Sequence, residues 1–128
     1  MNYWLMKSEP EVFSIQDLRI KKRSGWDGVR NYQARNYMRD QMKIGDLVLF
    51  YHSNAEPSGI AGIARVSKER HPDPTQFDKK SEYFDAKSSP EKPIWEMVEV
   101  EFVEEFSSVI SLTTLKKEKA LAKMPLVQ

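Results

Sequence analysis

Cysteine is missing from this chain, which excludes disulfides, thiolate zinc sites and cysteine nucleophiles. Long apolar runs are missing too. The only early one, Tyr3 to Met6, is far too short for a membrane span or a signal-peptide core. A cytoplasmic protein, nuclear in a eukaryote, is therefore expected. No glycine-rich phosphate loop of the Walker or dinucleotide type occurs, and there are no internal repeats. What remains is 128 residues with 40% hydrophobic and 30% charged content, the profile of a single globular domain with one core. The net charge of +1 conceals an asymmetry. Arg19 to Lys43 carries eight basic residues against Asp27 and Asp40, whereas Glu91 to Glu105 carries six glutamates against Lys92. A basic half favours an anionic partner, although such runs are commonly solvated faces.

Catalytic constellations are hard to assemble. His52 and Ser53 near Asp46 suggest a hydrolytic triad, but consecutive strand residues point to opposite faces of a sheet. His71-Pro72-Asp73 offers one imidazole and one carboxylate in a proline-rich loop, too few groups for a metal site. Asp73 and Asp78 with Lys79 and Lys80 echo magnesium-dependent nucleases, which need acids on two paired strands rather than one short loop. No enzyme activity, cofactor or metal is expected.

Periodicity gives the elements. Tyr3 to Met6 reads as a buried strand ending at Lys7, with Trp4, Met6 and Ser8 on one face. Ser14 caps a short helix beside Asp17, and Lys21 to Gly25 forms a basic loop. Asn31 is an N-cap for a helix to about Met42, with Ala34, Tyr37, Met38 and Met42 on its core face. Leu47 to Ser53 and Ile60 to Val66 read as strands, the second rich in small residues that suit a tight bend. Residues 68–93, with four prolines, read as a surface loop with room for one turn of helix and no core of its own. Trp95 to Phe102 resumes a strand with Val98, Val100 and Phe102 facing inward. Ser111 to Ala122 reads as a weakly amphipathic helix. Strands and helices at irregular spacing give an α+β class.

One stretch does not read as a structural helix. Trp26-Asp27-Gly28-Val29-Arg30-Asn31-Tyr32-Gln33-Ala34-Arg35-Asn36-Tyr37 gathers an indole, a glycine bend, guanidinium groups, carboxamides and phenols, the groups that read flat heterocycles. Trp26 is either an open stacking platform or a core residue; tryptophan is usually largely buried. Lys7 and Ser8, polar groups at a strand end, suit a ligand site or a charged terminus.

That stretch, with Trp4-Leu5-Met6-Lys7-Ser8-Glu9-Pro10, Leu49-Phe50-Tyr51-His52-Ser53, Pro57 to Gly62, Pro72 to Asp78 and Trp95, closely resembles the EVE domain. The family is PUA-like and related to the YTH readers of methylated RNA. The resemblance covers nearly the whole chain. It implies a small PUA-like β-barrel flanked by helices, and a non-catalytic domain that reads a flipped or unpaired, modified nucleobase in DNA or RNA. Trp26 would then stack on the base. Ser8, Asn31 and Ser53, with the backbone at Gly28 and Val29, would bond its edge. Lys7, Arg30 and Arg35 would hold phosphates or polar edges, while Tyr51 and His52 shape the wall. Trp95 would be a second aromatic surface or a core residue. Relatives commonly continue beyond the segment resembling Met124 to Val127, so a closing segment is expected to be lacking here; a monomer is favoured. The alternative from another class is a small-molecule or nucleotide-metabolite binding protein, or an enzyme of unrecognised mechanism. A third is a purely structural interaction domain.

Overall fold

The computed structural model describes residues 2–111 together with Leu126–Val127. Strand β1 is Tyr3–Ser8. As the alternation requires, Trp4 and Met6 are buried while Tyr3 is exposed. Helix α1, Ile15–Lys21, starts on a complete capping box: the Ser14 hydroxyl accepts from the Asp17 amide, and the Asp17 carboxylate accepts from the Ser14 amide. A short strand β2, Arg23–Gly25, leads into the Trp26 loop. Helix α2, Tyr32–Asp40, begins at Asn31, whose side chain accepts from Ala34 N at 2.9 Å. Its expected stripe faces inward, with Ala34, Met38 and Met42 all buried.

Strand β3 is Leu47–His52 and strand β4 is Gly59–Pro72. Strand β5, Glu96–Ile110, is the longest, and β6 is Leu126–Val127. Together they form one mixed sheet in the order β2-β5-β4-β3-β1-β6. Strands β1 and β3 run parallel, with Lys7 opposite Tyr51 and Ser8 opposite His52. Parallel neighbours need a crossover, and here it consists of α1, β2, the Trp26 loop and α2. The helices pack against β5, and α2 also against β4. Among the described residues no helix is long and apolar enough to cross a membrane.

The α+β class is as expected, but the sheet is not closed into a barrel. Its outer strands β2 and β6 have three and two residues, too few to join edges. Register shifts along the β4–β5 ladder bend the sheet without closing it. The helix expected from Ser111 to Ala122 lies, beyond Ser111 itself, outside the described residues.

The core joins Trp4, Met6, Ile15, Leu18, Met38, Val48, Phe50, Val66, Val98 and Val100. Asp46 serves it as a buried acceptor, receiving Trp4 Nε1 at 2.9 Å and the amides of Asn2 and Lys43 at 3.0 Å. Burial pushes its carboxyl up, but these hydrogen bonds outweigh burial and hold it below the ordinary aspartate value.

Residues 68–93 depart furthest from the expected surface loop. Their start extends β4, and Pro74–Phe77 forms a single 3₁₀ turn capped by Asp73. Asp73 and Gln76 are fully buried. Gln76 uses both ends of its amide: Nε2 donates to Asp73 O and Trp95 O, while Oε1 accepts from Ile94 N and Trp95 N. Trp95 is itself buried, donates Nε1 to Asp85 Oδ2 at 2.8 Å, and stacks on Tyr32. Most of the segment is exposed, but its polar residues Asp73 and Gln76 form a buried hydrogen-bond hub.

Candidate functional site

A cavity of about 860 Å³ opens where the crossover meets the ends of the parallel strands. Lys7, Ser8 and Glu9 come from the end of β1, and Ser53 and Asn54 follow β3. Val12 and Phe13 precede α1, and Lys21 closes it. Ser24 to Val29 form another wall, and Tyr83 and Met97 complete the lining. The register of β1 and β3 accounts for the first wall: Ser53 N donates to Ser8 O at 3.0 Å, so both hydroxyl-bearing residues arrive together. Ser8 Oγ donates to Phe13 O at 2.7 Å and ties the turn before α1 to the strand.

The Trp26 loop is fixed from three sides. Trp26 N donates to Val98 O at 2.8 Å. Gly28 N donates to Asp73 Oδ2 at 2.8 Å with Gly28 at φ +76°, a left-handed conformation that favours glycine. A Cβ at this position would also lie 2.8 Å from the Tyr83 ring. Val29 is 3% exposed and anchors the loop in the core.

Trp26 turns out to be both of the things it could be. It is 7% exposed and meets Phe50 edge to face at 5.4 Å, so it supports the core. It also lines the cavity. The other two tryptophans donate their indole N–H groups to Asp46 and Asp85. Trp26 Nε1 donates to no group among the described residues, nor is it among their fully enclosed unpaired atoms.

Several expected contact residues build the site without facing it. Arg30 does not line the cavity. Its guanidinium donates to Tyr83 O, Val29 O, Asp73 Oδ2 and Thr75 Oγ1 and lies 5.2 Å from the Trp95 ring centre, so its donors are committed to the fold. Arg35 donates to Ile94 O and Asn36 Oδ1 and covers Tyr32 at 4.8 Å. Asn31 is the α2 cap. Tyr51 is 6% exposed beneath Lys7, whose Nζ lies 5.5 Å from its ring centre. His52 is 7% exposed, and its Nε2 accepts from Ile15 N at 3.1 Å. Burial pushes the imidazole pKa below its ordinary value, against an opposing pull from Glu105. With Nε2 occupied by an amide, His52 is no base for Ser53.

Half of the eight basic residues of the stretch are ion-paired within the described residues. Arg19 pairs with Glu105, Arg23 with Glu101, Arg30 with Asp73 and Arg39 with Asp40. The glutamate run of β5 is thus a counter-charge for the crossover. Lys7 and Lys21 are different: both line the cavity, and neither pairs with a carboxylate among the described residues.

Sequence reasoning missed Phe13, Lys21, Asp27, Tyr83 and Met97 as cavity residues. Asp27 is exposed as a residue, yet desolvation of its carboxyl by the surrounding protein raises the pKa above the ordinary aspartate value; the neighbouring Asp73 adds to the rise, and Lys21 and Arg30 oppose it. Burial also raises the Tyr83 phenol, with Glu82 adding to it.

The EVE domain sequence profile matches residues 2–128. Human thymocyte nuclear protein 1 is 47% identical over 126 residues, covering 90% of this chain and 56% of its own. The chain thus spans about half the length of the curated relatives it matches. A hypothetical protein from Leishmania major superposes with a TM-score of 0.90 at 53% identity, over 97% of this chain and 78% of that one. Human THYN1 protein in complex with 5-methylcytosine-containing DNA superposes with a TM-score of 0.85 at 47% identity, over 91% and 74%.

Proposed function

The chain belongs to the EVE domain family, and from that premise we propose that it binds nucleic acid by receiving one unpaired or flipped base, carrying a modification, in the cavity beside Trp26. The observation that carries this reading is the Trp26 indole: held by Val98 and Phe50, it keeps an uncommitted N–H donor at the cavity wall. The relative solved with 5-methylcytosine-containing DNA supports a modified cytosine in DNA as the ligand to test first. Residues 1–128 would act as one such unit.

In this reading Trp26 packs on the base and bonds its edge, with Ser8 and Ser53 on the facing wall. Lys7 and Lys21 hold flanking phosphates. Asn31, Arg30, Arg35, Tyr51 and His52 act indirectly, by holding the loop, the helix starts and the strand ends in place. Stacking on an aromatic contributes about 1–3 kcal/mol per base, whereas one buried methyl contributes only about 0.8 kcal/mol. Binding strength comes from the ring and its edge, and the modification adds selectivity to it. In this reading the domain binds without turnover, which the commitment of His52 Nε2 to Ile15 N and of the Asp46 and Asp73 carboxylates to fixed donors supports.

Fluorescence titration with short single-stranded DNA carrying one 5-methylcytosine, against the unmodified oligonucleotide, tests the reading. Tryptophan emission should respond to both, with tighter binding of the methylated strand. Equal binding of the free nucleotide and the oligonucleotide, without salt dependence, would favour a metabolite ligand instead.

A further inference from the structure

A cavity that recognises 5-methylcytosine by its ring and methyl group alone cannot exclude thymine. The two bases share the pyrimidine ring and the 5-methyl group, and thymine is abundant in any DNA. They differ at ring position 4, an amino group in one and a carbonyl in the other, and at N3. The methyl group would contribute only about fourfold in affinity, equally for both bases. Discrimination must come from position 4 or N3, and at position 4 the group that discriminates is an acceptor, because an acceptor bonds an amino N–H and repels a carbonyl oxygen.

Two carboxylates line the cavity, Glu9 and Asp27. Glu9 already accepts from the Asn54 amide. Asp27 forms no ion pair and accepts no hydrogen bond from another residue among those described. Every other aspartate in the described residues accepts at least one: Asp17, Asp40, Asp46, Asp73, Asp78 and Asp85. Asp27 also sits between Trp26, whose indole donor is free, and Gly28, whose amide is fixed to Asp73. One short loop therefore contributes an indole and an unpaired carboxylate to the lining of the same cavity.

We infer that Asp27 is the specificity-determining residue of this cavity, selecting a 4-amino pyrimidine over a 4-oxo pyrimidine by accepting a hydrogen bond from the exocyclic amino group. The inference rests on the base-reading function proposed above. Its environment agrees: desolvation and Asp73 disfavour the charged carboxylate, the charges of Lys21 and Arg30 offset this in part, and a donated N–H would stabilise it further. Methyl preference and amino preference thereby have separate origins, and they can be lost separately.

The test uses four single-stranded oligonucleotides differing at one central base: cytosine, 5-methylcytosine, uracil and thymine. Affinities are measured for the unaltered chain, Asp27→Ala and Asp27→Asn, with melting curves for each. The unaltered chain should bind 5-methylcytosine about ten- to hundredfold tighter than thymine. In Asp27→Ala the gap should close to within about threefold while the preference for 5-methylcytosine over cytosine persists. Asp27→Asn should gain thymine affinity, since a carboxamide can donate to the 4-carbonyl; a merely structural role would lower all four affinities together. Should Asp27→Ala fail to fold, Asp27→Asn decides. Equal binding of 5-methylcytosine and thymine by the unaltered chain, or an undiminished gap in both variants, would overturn the inference and leave base reading intact. No tryptophan response to any of the four would overturn both.

Discussion

The amide of Gly28 donates to the carboxylate of Asp73 at 2.8 Å, across 45 positions of chain. The same carboxylate receives Arg30 Nη1 at 3.1 Å and, on its other oxygen, Thr75 N and Oγ1 at 2.8 and 2.6 Å. The cavity loop is therefore held by a segment whose sequence looks solvated. Asp73→Ala leaves Arg30 without its acid and a buried amide without its acceptor. We expect a loss of about 3–5 kcal/mol in urea denaturation. A loss below about 1 kcal/mol would mean that the brace is dispensable.

Trp26→Ala removes a ring packed on Phe50 and should cost about 3–5 kcal/mol of stability. It therefore reports on folding and not on the ligand. Trp26→Phe keeps a ring in place and deletes the N–H donor. It should fold cooperatively and bind the methylated oligonucleotide about 1 kcal/mol more weakly. Unchanged affinity in a folded Trp26→Phe chain would exclude the indole N–H as a contact.

Salt dependence counts the phosphates held. With only Lys7 and Lys21 uncommitted at the cavity, affinity for single strands should fall with salt at a slope of about −1.4, near −0.7 for each contact. Lys7→Gln and Lys21→Gln should each lower the slope by about one contact. Arg30→Gln should leave the slope unchanged and lower stability instead. A slope implying many contacts would assign the basic residues Lys22 and Arg23 to an extended strand.

Acid should weaken the fold through His52. Its folded-state pKa lies below the ordinary 6.5, so the unfolded chain takes up the proton first. Stability is complete above that value and falls as the pH descends through it. The loss levels off once the folded imidazole also protonates and releases Ile15 N. His52→Gln can still accept that amide and should flatten this part of the profile. The check is the urea midpoint between about pH 7.5 and 5.5, where histidine is the ordinary titrating side chain.

The frame was legible wherever one face of an element decides its burial. Trp4 and Met6, the Ala34–Met38–Met42 stripe, the Ser14 and Asn31 caps, and Val98 with Val100 all follow from local spacing. What spacing cannot convey is which distant residue satisfies a polar group. Arg30 looks like a free cation until Asp73 and Tyr83 are brought against it from more than forty residues away. Gln76 looks solvated until Trp95 supplies both of its backbone groups. The same blindness hid Tyr83, which reaches the cavity from a segment with no local pattern, and Met97, whose strand was legible but whose meeting with the Trp26 loop was not. The surplus of positive charge misled for a related reason: the counter-ions of Arg19 and Arg23 lie on β5 and that of Arg30 at Asp73, all brought near only in three dimensions.

Within the crossover loop, main-chain atoms of Trp26 and Gly28 hold the shape, whereas the side chain between them, Asp27, takes no part in holding it. Shape depends on main-chain N–H groups of Trp26 and Gly28, which any neighbour at position 27 leaves undisturbed. Position 27 is therefore a replaceable tooth on a fixed key. Selectivity can be exchanged there, by descent or by design, without renegotiating the architecture that carries it.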